Sequence, residues 1–307
     1  MSLAPSGEQF EISFASQRAT VVEVGGGIRE YRHGDRAVLD PYPLQSMCDG
    51  AHGAPLIPWP NRIAEGRYSF DGEEQQLALS EPARGNAIHG LLRWRPWRAL
   101  ERSPSRVVMG ARLHPMTGYP FALDVRIAYE LSELGLAVTT DAANVGESSC
   151  PYGCGQHPYL SPGLAGSIDE CSLELPAATR LVNEEEHQVP VSREPVEGGA
   201  FDYRSPRALS EARLDDAFTD LDRDGEGIAT ARLRCPDGRC VELWVDGAYP
   251  FLQVFTGDAL PAGRRRRGLA VEPMSCAANA FRSGDGLITL APGETASCLW
   301  GVRLTEA

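Results

Sequence analysis

The sequence predicts an all-β protein, one large β-sandwich, and three observations carry that expectation. No apolar stripe of helical period runs for more than a few turns anywhere in the 307 residues. Short runs alternating apolar and polar residues recur instead, with turn residues between them roughly every ten positions. No internal repeat and no composition shift marks a linker, so residues 1–307 read as a single domain.

Taken in order, residues 9–24 set Phe10, Ile12, Phe14, Val22 and Val24 in alternation, the pattern of a half-buried strand. Gly25, Gly26 and Gly27 interrupt it, and residues 28–31 and 37–39 continue as short strands. Pro55, Pro58 and Pro60 then exclude a helix or a central strand and leave a stiff loop that presents Asn61 and Arg62. The Asp71-Gly72 turn between residues 66–70 and 73–79 is a hairpin signal. Residues 106–113, 123–131 and 135–142 are further strand candidates. Glu184, Glu185 and Glu186 open a run to Gly199 that reads as a solvated loop, and residues 209–218 read as a short helix ending at Asp215 and Asp216. Pro236-Asp237-Gly238 joins residues 232–235 and 239–245 in a second tight hairpin. Residues 251–256 form a strand, 260–268 a basic loop, 269–273 a return to the core, and 295–304 alternate once more.

Charge narrows the function. With 42 acidic against 29 basic residues and a net charge of -13, the balance is opposite to that of a binder of nucleic acid or acidic membrane. Residues 1–20 lack the apolar segment of a secretory signal, and no stretch is apolar for long enough to span a bilayer. The eight cysteines contain no Cys-x-x-Cys pair and are expected to be reduced, mostly buried thiols of a cytoplasmic protein. Cys150, Cys154 and His157 raise the question of a metal, but no second ligand pair follows them, and none is expected.

Four side chains stand in contexts that a surface residue does not need. His157 lies in Tyr152-Gly153-Cys154-Gly155-Gln156-His157-Pro158-Tyr159, where Pro158 drives it towards an extended backbone and the glycines permit close approach. An imidazole there can carry a proton either way near neutral pH. Glu272 follows Leu269-Ala270-Val271, and a carboxylate in such a run has a raised pKa unless paired, as a general base requires. Arg62 sits in the stiff loop, and His89 precedes Gly90 after Ile88. Each has an ordinary alternative: a carbonyl partner for His157, an arginine of residues 264–267 for Glu272, a carboxylate for Arg62, a capped turn for His89.

The ordered set Pro58-Trp59-Pro60-Asn61-Arg62-Ile63, Gly66 to Gly72, Asn86-x-x-His89-Gly90, Gly155-x-His157-Pro158-Tyr159, Leu214-Asp215-x-x-Phe218, Glu272-Pro273 and Leu290-x-Pro292-Gly293-Glu294 resembles the aldose 1-epimerase (mutarotase) family. The resemblance runs from about residue 55 to the C-terminus. It implies a galactose mutarotase-like β-sandwich that interconverts the anomers of a hexopyranose in an open cleft, with no cofactor and no metal, as a monomer or homodimer. Glu272 then matches the general base and His157 the general acid. Arg62 and His89 match groups that hydrogen-bond the ring and its hydroxyls, with Asn61 beside them. Asp215 matches a hydroxyl acceptor, with Asp216 in its place if the register slips by one. Trp59, Trp94 or Trp97 are candidates to stack on the sugar.

Met274 and Leu160 depart from the pattern expected of galactose-type members and leave the identity of the sugar open. Arg93, Arg95, Arg98 and the run Arg264 to Arg267 suggest an alternative substrate, a hexose with phosphate or sulfonate at C6. A second alternative is a carbohydrate-binding or sensing protein that keeps the cleft without turnover.

Overall fold

Period-two alternation becomes two large antiparallel sheets in this computed structural model, which describes residues 4–163 and 166–306; Met1–Leu3 and Ala307, the ends of the expected domain, lie outside that range. One sheet runs in the order Gln9–Phe14, Gln17–Val22, Ile28–His33, Arg36–Leu39, Tyr159–Leu160, Leu269–Met274, Phe251–Phe255, Asp215–Leu221, Ala177–Asn183, Pro190–Pro195. The other runs Arg98–Arg102, Arg106–Leu113, Leu123–Ser132, Gly135–Asn144, Thr295–Glu306, Arg239–Val245, Ala229–Arg234, Ser172–Glu174, Arg207–Ala208. The two sheets make a β-sandwich with almost no helix.

Alternation decides which face of the first sheet is apolar. In Leu269–Met274, Leu269 and Val271 join the main core, as do Leu252 and Val254 on the neighbouring strand. Each such side chain, wholly withdrawn from water, contributes about 1.5–3 kcal/mol. The intervening residues Ala270, Glu272 and Met274 face the other way. A carboxylate is thereby carried to the centre of a sheet on the face turned from the second sheet.

Three local expectations are corrected. Residues 9–24 form two strands, Gln9–Phe14 and Gln17–Val22, because the chain reverses at Ala15 with φ +50°. The run to Gly199 contains the strand Pro190–Pro195, paired with Ala177–Asn183 at the sheet edge, where proline's missing N–H costs no ladder bond. Residues 209–218 hold no helix: Asp215–Leu221 is a strand paired on both sides, with Ala177–Asn183 and Phe251–Phe255. Ladder bonds hold Asp215 to Phe218 in the sheet, and Leu209 to Arg213 alone are too few for a stable helix. The hairpins at Asp71-Gly72 and Pro236-Asp237-Gly238 form as expected.

Candidate active site

Seven stretches of chain converge on one open cleft of about 230 Å³. Asn61, Arg62, His89, His157, Asp215 and Glu272 all line it, together with Glu81, Arg93, Trp94 and Tyr159. The fold thus places these six sequence candidates around one cleft.

The proline stretch is shaped by its contacts. Arg62–Ala64 pairs with Asn86–Ile88, and the Asn61 carbonyl accepts from the His89 N–H at 2.9 Å. Gly90, at φ +68°, lies so close to Ile57 that an added Cβ would sit 2.0 Å from its carbonyl oxygen; glycine is what lets the His89 turn lie against the prolines. His157 is fixed in the same manner, its N–H donating to Ala54 O at 3.1 Å and its carbonyl accepting from Gly53 N at 2.8 Å. Gly155 lets the same stretch lie against the strand of Glu272, since a Cβ there would sit 2.7 Å from Pro273 O.

Glu272 and His157 are partners. His157 Nε2 lies 3.2 Å from Glu272 Oε1, and the side chains are only 6% and 2% exposed. Burial, then the nearby Asp215 charge, pushes the Glu272 carboxyl well above its ordinary range, against the pull of Arg62. Burial, then His52, pushes the His157 imidazole down to about 3. Both shifts disfavour charge, so the pair is neutral overall and holds one exchangeable proton. His89 packs edge-on to His157, with ring centroids 5.4 Å apart, and burial and His157 hold it neutral. Glu272 Oε2, His157 Nδ1 and His89 Nδ1 are buried without a protein partner. A polyhydroxylated ligand would meet that unspent hydrogen-bonding capacity.

Arg62 is held by Glu81 in a fork, with Nε donating to Oε2 at 2.9 Å and Nη2 to Oε1 at 3.2 Å. Nη2 also lies 3.6 Å from Asp215 Oδ2, and Asp215 Oδ1 accepts from Gln253 Nε2 at 2.7 Å. Glu81 was not singled out from the sequence, because a carboxylate before a proline is an ordinary turn residue. Asp216, the alternative to Asp215, pairs instead with Arg180.

The other sequence candidates lie elsewhere. Trp59 and Trp97 are buried in the main core, whereas Trp94 is 46% exposed at the cleft. Cys154 Sγ faces Cys298 Sγ at 3.4 Å, and no group of three metal-ligating side chains occurs among the described residues. The arginine run is neither a freely solvated loop nor part of the cleft wall. Arg264 pairs with Asp40 at 3.3 Å and Asp49 at 3.6 Å, Arg266 with Asp258 at 3.2 Å and with Asp169, and Arg267 with Asp40 at 3.7 Å. Arg265 Nε donates to Leu260 O at 2.9 Å. None of the four meets Glu272. Arg93 does line the cleft, stacked 5.4 Å from the Trp94 ring centre, with no carboxylate partner among the described residues.

The family described as aldose 1-epimerase matches residues 8–298. The uncharacterized protein YihR of Escherichia coli K12 is 35% identical over 296 residues, 94% of this chain and 91% of YihR. Human galactose mutarotase is 29% identical over 232 residues, 69% of this chain and 64% of that protein. Among solved structures, a GalM/aldose epimerase homologue from Caenorhabditis elegans superposes with a TM-score of 0.85 at 17% identity, over 98% of this chain and 99% of that one. A putative aldose 1-epimerase from E. coli K12 gives 0.83 at 22% identity, over 98% and 99%. No helix among the described residues is long and apolar enough to cross a membrane. The chain has the galactose mutarotase-like fold and belongs to the aldose 1-epimerase family.

Proposed function

We propose that the protein is a mutarotase that opens and closes a hexopyranose ring with Glu272 as base and His157 as acid. The observation that carries this reading is the buried Glu272–His157 pair at 3.2 Å in the wall of a polar cleft. Glu272 takes the proton of the C1 hydroxyl. As the C1–O5 bond breaks, C1 becomes an aldehyde, and His157 gives its proton to the ring oxygen. Rotation about C1–C2 turns the other aldehyde face to O5, and the two transfers reverse on closure. Ring opening leaves the proton on Glu272 and none on His157, the arrangement that burial of both groups favours, so the pair turns over without exchanging protons with solvent. Each positioned group supplies about 10²–10⁴-fold, with orientation adding to it.

Arg62, braced by Glu81, and neutral His89 serve as hydrogen-bonding groups for the ring and its hydroxyls, and Asp215 as an acceptor. Asn61 shapes the turn that presents them, its side chain accepting from Arg62 N at 2.9 Å. Trp94 supplies an apolar face for the sugar. Under this reading the chain acts as one domain, supported by the apolar core shared by both sheets. The free thiols fit the reducing cytoplasm.

Arg93 favours a second reading of the substrate, a sugar whose C6 carries phosphate or sulfonate. A half-buried guanidinium with no ion-pair partner among the described residues, in a protein of net charge -13, is a feature of the cleft that a neutral hexose leaves unused.

The test is polarimetry of freshly dissolved α-D-glucose and α-D-galactose, with anomer-resolved NMR over neutral and C6-charged sugars. Acceleration of at least one supports the enzyme. Binding without acceleration of any would make this a carbohydrate-binding protein.

A further inference from the structure

Three rings stack in series from the cleft wall inward. The Tyr159 ring lies over His157, centroids 4.9 Å apart at 17°, as their two-residue spacing on an extended chain allows. On its other side Tyr159 meets His52, centroids 3.7 Å apart and nearly parallel at 5°. Tyr159 is pinned by its hydroxyl, which donates to Gly50 O at 2.8 Å. All three rings are buried.

The surroundings of His52 determine its protons. Nδ1 lies 2.9 Å from the Asp49 carbonyl oxygen, which can only accept. Nε2 lies 3.1 Å from Asp40 Oδ2, and Asp40 faces Arg264 at 3.3 Å and Arg267 at 3.7 Å. A carboxylate between two guanidiniums is also an acceptor. Both ring nitrogens therefore donate, and His52 is an imidazolium. The Asp49 carboxylate stands 3.9 Å from Nδ1, and Cys48 Sγ donates to the His52 carbonyl at 3.3 Å, which completes the polar groups around it. A buried cation fixed at both nitrogens and stacked on the ring that touches the proposed acid is more than that stack needs for packing.

We propose that His52 is a positioning residue for the anomerisation: it clamps Tyr159 against His157 and, as a fixed buried cation, raises the cost of a second proton on the Glu272–His157 pair, thereby setting the pH range of activity. This rests on the reading of His157 as the acid. The depressed proton affinity of His157, caused first by burial and then by His52, agrees with it.

The sign follows from like-charge repulsion. The active pair holds one proton; a second abolishes the base, and loss of the first abolishes the acid. A nearby cation disfavours both protonated forms, so its removal moves both limbs of the pH profile upward. His52→Phe keeps a flat ring on Tyr159 and removes the charge, and both limbs of kcat/KM should move to higher pH by up to about one unit. His52→Ala removes clamp and charge together, and should add a loss of kcat of about tenfold to the same shift. In wild type, ¹⁵N spectra of the histidines should show a proton on both His52 nitrogens wherever the enzyme is active. A neutral His52 ring in those spectra overturns the proposal even if no variant folds, as does a His52→Phe profile superimposable on wild type. Activity that survives loss of Glu272 or His157 would sink the acid–base reading instead, and the spectra separate that outcome from this one.

Discussion

Asp215 and Asp216 are adjacent in sequence and face opposite sides of one sheet: Asp215 reaches Arg62 at 3.6 Å in the cleft, while Asp216 binds Arg180 at 2.7 Å away from it. Strand alternation alone makes the difference. Asp215→Asn should raise KM by roughly tenfold, about the value of one charge-assisted hydrogen bond, and leave melting nearly unchanged. Asp216→Asn should leave KM unchanged and lower the melting temperature. Steady-state kinetics and calorimetry on the two variants check both, and exchanged phenotypes would shift the binding register by one.

Glu272→Gln keeps shape and an acceptor oxygen but cannot accept the C1 proton. Anomerisation should fall by at least about 10²-fold while sugar affinity persists. His157→Asn should lose a similar factor, and the double variant little more, because groups acting in one concerted step are non-additive. NMR anomer exchange gives the rates; fully additive losses would mean the two act independently.

The same pair makes stability depend on pH in two opposed directions. Glu272 in the fold holds a proton that the unfolded chain loses above its ordinary 4.5, so this group's contribution falls as pH rises beyond that value. His157 in the fold resists a proton that the unfolded chain binds below 6.5, so its contribution is lost as pH falls from 6.5 towards about 3. The slopes oppose each other between 4.5 and 6.5. Each is limited to about 1.4 kcal/mol per pH unit. Glu272→Gln should therefore melt higher than wild type at alkaline pH, with the gain vanishing near pH 4. His157→Asn should gain on the acid side. Melting curves across pH decide it, and parallel curves for all three proteins would contradict the buried-pair electrostatics.

Arg93 bears on the choice of sugar. If the substrate is anionic at C6, kcat/KM for glucose 6-phosphate should exceed that for glucose at low salt, through KM. Arg93→Ala should erase most of that preference, at a cost of roughly tenfold to a hundredfold for a charge-assisted contact. High ionic strength should weaken it. Arg265→Ala and Arg266→Ala should leave the preference unchanged, since both are occupied elsewhere. Equal values for the two sugars, unmoved by salt or mutation, leave a neutral hexose.

Much of this was legible in the chain because period-two alternation and glycine or proline punctuation are local signals. Asp71-Gly72 and Pro236-Asp237-Gly238 fold as hairpins from their own chemistry, and the motifs around Asn61, His89, His157 and Glu272 named their residues without the fold. What stayed hidden depends on partners distant in sequence. Glu81 matters because Arg62–Ala64 and Asn86–Ile88 pair beside it. The strand at Asp215–Leu221 exists because two neighbours bond to it. The arginines 264–267 read as a charged loop because two of their partners, Asp40 and Asp169, lie far along the chain. His52 gave no local signal: its significance comes from a ring more than a hundred residues later.

The two-residue strand Tyr159–Leu160 carries a further consequence. It is bonded to Arg36–Leu39 on one side and Leu269–Met274 on the other, and so stitches the amino-terminal meander to the rest of its sheet. A chain emerging from the ribosome cannot close that seam until residue 274 is free of the exit tunnel. Until then the amino-terminal strands have an unpaired edge, and half of the proton-transfer pair does not yet exist. Synthesis should pass through a long inactive stage, and chains released before Leu269–Met274 should be both without activity and prone to pair through that edge with one another.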